Sequence, residues 1–294
     1  DIGYNTDDTL TLFGLRAISS IDFVGVVTTG GACKKRAKQC RAWLRHLGVK
    51  DTECSVAAGT DYDEAPFAKS RSYGNCADVE HLYADEDSDF ALHHDATKLI
   101  LSLAEQYGER LTIMGIGPMS PLSDALKADE KGSLKRIGAL YMQGIVTVEG
   151  EGADARLKPN IAKSYNFRED TEAAEHVFAE MQDEVPFVTL GSFAAKKVGL
   201  KREDYASWDR GNGLPSLRAT LKKSLAAFRD SAPDIFYNVY PVPEDKRGDL
   251  TWYDNMKDGV VSHPYDPLLA LALVNPELFT METCGNDGRH KTIG

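Results

Sequence analysis

Short β-branched runs alternate with amphipathic helical stretches along most of this chain, and that alternation restricts the fold more than any other feature of the sequence. Phe23-Val-Gly-Val-Val-Thr28 reads as a buried strand. The Thr28-Thr-Gly-Gly31 turn then leads into Lys34–Leu47, a basic amphipathic helix closed by Gly48. Ser55-Val-Ala-Ala-Gly59 reads as a second short strand. Ala91–Tyr107 follows as the clearest helix, with Ala96, Leu99, Ile100, Leu103 and Ala104 on one face and Gly108 past its end. Leu111–Ile116 is a strand entering Gly117-Pro118, Leu122–Ala128 a helix, and Ile137–Met142 the next strand. Thr171–Glu184, capped by Asp170 or Thr171, is a helix before the strand Val185–Leu190, and Leu214–Arg229 is a further amphipathic helix. Tyr265–Val274 is apolar nearly all round, as a central buried helix must be, and Pro267 sits in its first turn, where a missing N–H costs nothing. This repetition predicts a single α/β domain over residues 1–294, with a mainly parallel central sheet flanked by helices.

Three stretches break the pattern. Thr60–Asp89 is a long polar segment read as an excursion or a lid, Glu149–Ala155 is a Gly- and acid-rich loop, and Phe236–Glu244 is a loop or edge strand. The sequence opens on Asp1 with no initiator Met, so residues upstream of it, a targeting signal among them, are expected to be missing.

Charge and cysteine usage exclude some functions. A formal net charge of −11 argues against a nucleic-acid or anionic-membrane surface, either of which needs clustered Lys and Arg. No apolar run approaches the roughly 20 residues of a membrane span. Five cysteines, at 33, 40, 54, 76 and 284, form no CxxC pair and no zinc spacing, and their odd number favours free thiols in a reducing, cytoplasmic setting. Secretion stays open if a signal precedes Asp1.

The opening Asp1-Ile-Gly-Tyr-Asn-Thr-Asp7-Asp8 places three carboxylates within eight residues, ahead of a helix over Thr9–Ile18. Two readings stand side by side: acids favoured in the first turn of a helix, or oxygen ligands for a hard divalent cation such as Ca²⁺. In a parallel sheet, ligands bind outside the carboxyl ends of the strands. Asp1–Asp8, Thr28–Gly31, Ile116–Ser120, Met142–Gly144 and Asp266 are all expected at that end.

Four blocks then carry a resemblance: the acidic opening; Leu111-Thr-Ile-Met-Gly-Ile-Gly-Pro-Met-Ser-Pro-Leu-Ser-Asp-Ala-Leu126; Ser164-Tyr-Asn-Phe-Arg-Glu-Asp-Thr-Glu-Ala-Ala174; and Tyr265-Asp-Pro-Leu-Leu-Ala-Leu-Ala-Leu-Val-Asn-Pro-Glu-Leu-Phe279. In order and spacing they resemble the inosine-uridine preferring nucleoside hydrolase family. The resemblance implies a calcium-dependent N-glycosidase of purine and pyrimidine salvage that cleaves the ribose–base bond with water, acts on a small nucleoside and assembles as a homo-oligomer. It implies Asp1, Asp8, Asp266 and the Ile116 carbonyl as Ca²⁺ ligands, and Asp1 as general base. Asn166, Asn160, Asp7 and Tyr265 are its implied substrate contacts. The chemistry is consistent: oxocarbenium character develops on the sugar, and a carboxylate can both stabilise it and remove a water proton.

The sequence also departs from the family pattern. Without a gap, Gly3 falls where the base stands; a two-residue insertion keeps Asp1 there and is the alignment favoured. Tyr265 replaces a His, with His263 two residues earlier as the candidate acid or a plain loop histidine. Gly31 replaces an Asn, and Ser164 replaces the Glu of a ribose-binding motif. Asp266 before Pro267 is also a good helix cap, and Asn166 can also start a turn. Tyr265 and Trp252 are aromatic walls for a base or ordinary core. His93-His94 reads as a helix start. These losses also allow a riboside-binding protein that no longer turns over.

Overall fold

The computed structural model describes residues 2, 7–60, 95–151, 155–201, 204, 244–247, 260–284 and 288–293. The expected helix over Leu214–Arg229, nearly all of Thr60–Asp89 and Phe236–Glu244, and His93, His94, Cys76 and Trp252 lie outside these residues. Cys33, Cys40, Cys54 and Cys284 are buried.

The chain forms α1 (Asp7–Ala17), β1 (Gly25–Thr28), α2 (Cys33–His46), β2 (Ser55–Ala58), α3 (Ala96–Tyr107), β3 (Thr112–Gly115), α4 (Ser120–Ala128) and β4 (Ala139–Gln143). A hairpin of β5 (Val146–Glu149) and β6 (Arg156–Pro159) follows, then α5 (Tyr165–Glu169), α6 (Thr171–Met181), β7 (Phe187–Leu190) and α7 (Ser192–Lys196). The short pair β8 (Leu200–Lys201) and β9 (Val260–Ser262), α8 (Tyr265–Val274), β10 (Met281–Cys284) and β11 (His290–Ile293) complete the described elements.

The central sheet runs β10-β11-β7-β4-β3, with β3, β4, β7 and β11 parallel and β10 antiparallel at the edge. The expected mostly parallel α/β architecture is therefore present. Its inner strands are buried on both faces: all four residues of β7 are buried, and Leu140 and Met142 of β4 are fully enclosed. Phe167, Phe178 and Phe187 stack edge to face beneath the sheet, with ring centroids 5.5 and 5.3 Å apart. A second, parallel pair, β1-β2, packs on α2 around Trp43, Leu44 and Val56.

Local chemistry sets the helix boundaries. The Asp95 carboxylate accepts from Lys98 N at 3.0 Å and the Asp170 carboxylate from Ala173 N at 3.0 Å, each taking up an otherwise orphaned amide of a first turn. Asp95 therefore caps a helix beginning at Ala96, later than the Ala91 start that periodicity predicts. α8 packs against α1, β4, β7 and α7, and this long-range contact brings the two ends of the chain together.

Candidate active site

Asp7 and Asp8 are the first two residues of α1, and Asp266 is the second residue of α8. Because these helices pack on one another, the three carboxylates converge, each offering an oxygen within 4.8 Å of the others. Relative exposures of 5, 7 and 4% put all three out of reach of bulk solvent. Asp8 N donates to Asp7 Oδ1 at 3.2 Å, and Thr11 Oγ1 donates to the Asp7 carbonyl at 2.8 Å, so the first turn of α1 is tied down locally.

Crowding anions in a dry place is costly, and the titration of the site shows it. Burial, followed by the charge of Asp8, pushes the Asp7 carboxyl up to about 8. Burial and then the charges of Asp7 and Asp8 raise Asp266 well above the ordinary carboxylate range. Helix N-termini and backbone amides favour acids at these positions, but they do not offset a triad. A hard divalent cation would, and carboxylate oxygens are the donors it prefers. The residues thus fit a metal ion. Tyr265, beside the cluster, has its phenol raised to about 12 by burial and then by Asp7 and Asp266, so it stays protonated.

A second part of the candidate site is made of amides. Asn166, the second residue of α5, is 5% exposed; its Nδ2 donates to the Ile116 carbonyl at 3.1 Å and to Gln143 Oε1 at 2.9 Å. One side chain thus ties the carboxyl ends of β3 and β4 together. α5 is seated by Phe167 against Gly144, where any Cβ would lie 2.4 Å from the ring. Gln143 was not singled out from the sequence, although its place at a strand end before a glycine was the available signal.

The other expected residues fall as follows. Ile116 directly follows β3, with its carbonyl held by Asn166. The His263 ring lies 5.9 Å from that of Tyr265, and its Nδ1 is buried with no hydrogen-bond partner among the described residues. Asn160 is spent in a turn: its Oδ1 accepts from Lys163 N at 3.2 Å and its own N–H donates to the Ile145 carbonyl at 2.9 Å. Ser164 takes a structural task, its hydroxyl accepting from Ile145 N at 2.7 Å and donating to the Ile145 carbonyl at 3.2 Å. Gly31 adopts φ +77°, which a side chain rarely tolerates. Asp1 lies outside the described residues.

A mostly parallel sheet together with a buried carboxylate triad defines an α/β protein with a candidate oxygen-rich ligand site. The profile of the inosine-uridine preferring nucleoside hydrolases matches residues 1–293, and the chain belongs to that family. Hydrolysis of N-glycosidic bonds is the family's general chemistry. No curated protein is significantly similar in sequence. Among solved structures, the type III effector XopQ bound to adenosine diphosphate ribose superposes with a TM-score of 0.77 at 20% identity, over 99% of this chain and 84% of that one. The purine-preferring ribonucleoside hydrolase of Gardnerella vaginalis gives 0.65 at 18%, over 100% and 87%. The inosine-uridine preferring nucleoside hydrolase of Bacillus anthracis gives 0.64 at 17%, over 99% and 91%. At these identities the likeness is one of fold. Among the described residues, no helix is long and apolar enough to cross a membrane.

Proposed function

We propose that this protein is a calcium-dependent N-glycosidase that hydrolyses the ribose–base bond of a nucleoside or related N-riboside, releasing ribose and free base. The observation that carries this reading is the buried triad Asp7, Asp8 and Asp266 at the converging starts of two helices, in a chain of the nucleoside hydrolase family. Asp8, Asp266, the Ile116 carbonyl and Asp1 would hold the ion, and Asp7 and Tyr265 face the same space. Bound Ca²⁺ lowers the pKa of water and orients it toward the sugar.

The chain's own residues do the rest. Asp1 takes the proton of the attacking water as its oxygen bonds to the anomeric carbon. The ribose–base bond breaks, and His263 returns a proton to the departing base. Asn166 offers its amide to the ribose hydroxyls, while Asp7 accepts from one of them; neutral ribose has no charge to grip, so such groups supply its orientation. Tyr265 presents an aromatic face with a donating hydroxyl to the base.

A second reading is a riboside-binding protein without turnover. It is favoured by Gly31 and Ser164, which stand where the family has Asn and Glu, and by the higher TM-score to the effector holding adenosine diphosphate ribose than to either hydrolase. Ribose release from a panel of purine and pyrimidine nucleosides, with Ca²⁺ and after EDTA, in the parent and in Asp8→Ala, separates the two. Release abolished by EDTA and by the substitution establishes the hydrolase. No release from any nucleoside, with saturable binding of adenosine diphosphate ribose in calorimetry, establishes the second reading.

A further inference from the structure

We propose that Gln143 is a positioning residue which, with the Ile116 carbonyl, takes up both hydrogens of the Asn166 amide and leaves only its oxygen for the ligand. This part of the site then selects a sugar group that donates a hydrogen bond. The inference rests on the riboside reading above and adds to it the polarity of one contact and the residue that sets it.

An inventory of hydrogens carries the argument. A primary amide has two N–H donors on its nitrogen and an acceptor oxygen. Asn166 Nδ2 lies 3.1 Å from the Ile116 carbonyl oxygen and 2.9 Å from Gln143 Oε1. A backbone carbonyl can only accept, so the atom of Asn166 that faces it must be the nitrogen; the reversed amide would set two oxygens against each other. With that nitrogen fixed, the atom of Gln143 that meets it must be an oxygen. Both hydrogens are then spent. Oδ1, on the other side of the amide carbon, accepts no hydrogen bond from any described residue, although Asn166 is only 5% exposed. An acceptor left open in so buried a side chain is costly unless a ligand or water brings the donor. The Ile116 carbonyl keeps a second lone pair after taking one N–H, so the bridge is compatible with a further contact there.

Both side chains stand on fixed backbone. Gln143 is the last residue of β4, in register with Leu190 of β7, and the next N–H, that of Gly144, donates to the Leu190 carbonyl at 2.9 Å. The fully buried ring of Phe167 seats α5 against Gly144. Ser164, immediately before α5, holds the N–H and the carbonyl of Ile145. Strand end and helix start are thus locked together on either side of the bridge. An acceptor-only contact suits a hydroxyl or amino group and rejects fluorine in the same place, which would bring lone pairs against Oδ1.

Two variants test the assignment: Gln143→Glu keeps an acceptor at the same reach, and Gln143→Met keeps the length without a strong acceptor. NMR of the side-chain amides in metal-free protein reads the orientation with no ligand present, the Asn166 pair being assigned by its absence from Asn166→Asp. The pair exchanges slowly with solvent in the parent and in Gln143→Glu, and at least ~10-fold faster in Gln143→Met. Calorimetry in Ca²⁺ then uses C-nucleosides, whose carbon link to the base cannot be hydrolysed, with an amino group or fluorine replacing the 2′-, 3′- or 5′-hydroxyl in turn. At one position the amino compound binds at least ~10-fold more tightly than the fluoro compound in the parent and in Gln143→Glu, and Gln143→Met shrinks that ratio by ~3-fold or more. Fast exchange of the pair in the parent, or exchange unchanged in Gln143→Met, overturns the positioning role. Fluoro compounds that bind as tightly as amino ones at every position overturn the acceptor. If the parent binds no riboside at all, the riboside reading fails and takes the ligand contact with it, while the amide exchange still decides what Gln143 does.

Discussion

The two walls of the site are built by opposite means. On the acid side, Asp7, Asp8 and Asp266 are brought together by the packing of α1 on α8, and burial with the neighbouring carboxylates raises the cost of charge on Asp7 and Asp266. On the amide side, Asn166 donates to both Ile116 and Gln143 at ordinary hydrogen-bond distances, and nothing there opposes anything else. The amide wall is satisfied by protein partners, whereas the acid wall is where the proposed cation would bind. One wall serves as a scaffold and the other as a receptor.

The sharpest way to break this contrast is to remove a receptor carboxylate. Asp266→Ala abolishes Ca²⁺ uptake in calorimetry and Ca²⁺-dependent ribose release, while thermal stability without the ion rises or holds, because a repelling charge has gone. A fall in metal-free stability instead would mean that the triad is structural.

Next in size is the pH response. The folded Asp7 carboxyl titrates at about 8, above the roughly 4 of an ordinary carboxyl, so between these values the folded state holds a proton that the unfolded chain has released. Metal-free protein is thus most stable on the acid side and loses stability as pH rises toward about 8, and Asp266 adds to the loss in the same direction. Urea unfolding in EDTA across that range reads the slope, which saturating Ca²⁺ flattens. A metal-free midpoint that climbs with pH would contradict the assignment.

Smaller effects are expected on the amide wall. Asn166→Ala leaves the Ile116 carbonyl and the Gln143 amide without their donor, at a cost of about 1–3 kcal/mol measurable by urea denaturation at any pH in the range. It also weakens ribose binding, read as a raised KM. Asn160→Ala removes only a turn bond and costs at most ~1 kcal/mol, with KM unchanged. A raised KM there would place Asn160 against the ribose, as the family resemblance implies.

Much of this framework was legible because its signals are local. β1, β2, β3 and β7 lie within the expected runs, β4 overruns its run by one residue, and α1, α2, α4, α6 and α8 match their periodic segments to within a few residues. The β5–β6 hairpin was missed: Val146-Thr-Val-Glu and Arg156-Leu-Lys-Pro are short, mostly polar strands beside the Gly- and acid-rich loop, and only Leu157 and Pro159 of β6 are buried. β10 and β11 were missed for a different reason. His290-Lys-Thr-Ile293 has no strong strand pattern and owes its place to pairing with β7, where His290 Nδ1 also accepts from Phe187 N at 3.2 Å.

At the site, residue types were readable and partnerships were not. The acidic opening and Asp266 were visible as oxygen donors or helix caps, and the structure makes Asp7 and Asp8 the first turn of a helix and also members of the triad. The departure at Ser164 read as a lost ribose contact, whereas its hydroxyl closes the loop after β4. Asn166 stood out, but not Gln143 or the bridge between two strand ends that it completes.

The sequence by itself determined the alternation of elements, the caps and the supply of carboxylates, since propensity and periodicity act over a few neighbouring residues. Only the tertiary structure decided which carboxylates meet and that Asp7 and Asp266 are driven toward protonation. Those outcomes depend on packing between opposite ends of the chain, where burial and repulsion arise between groups that no local pattern links.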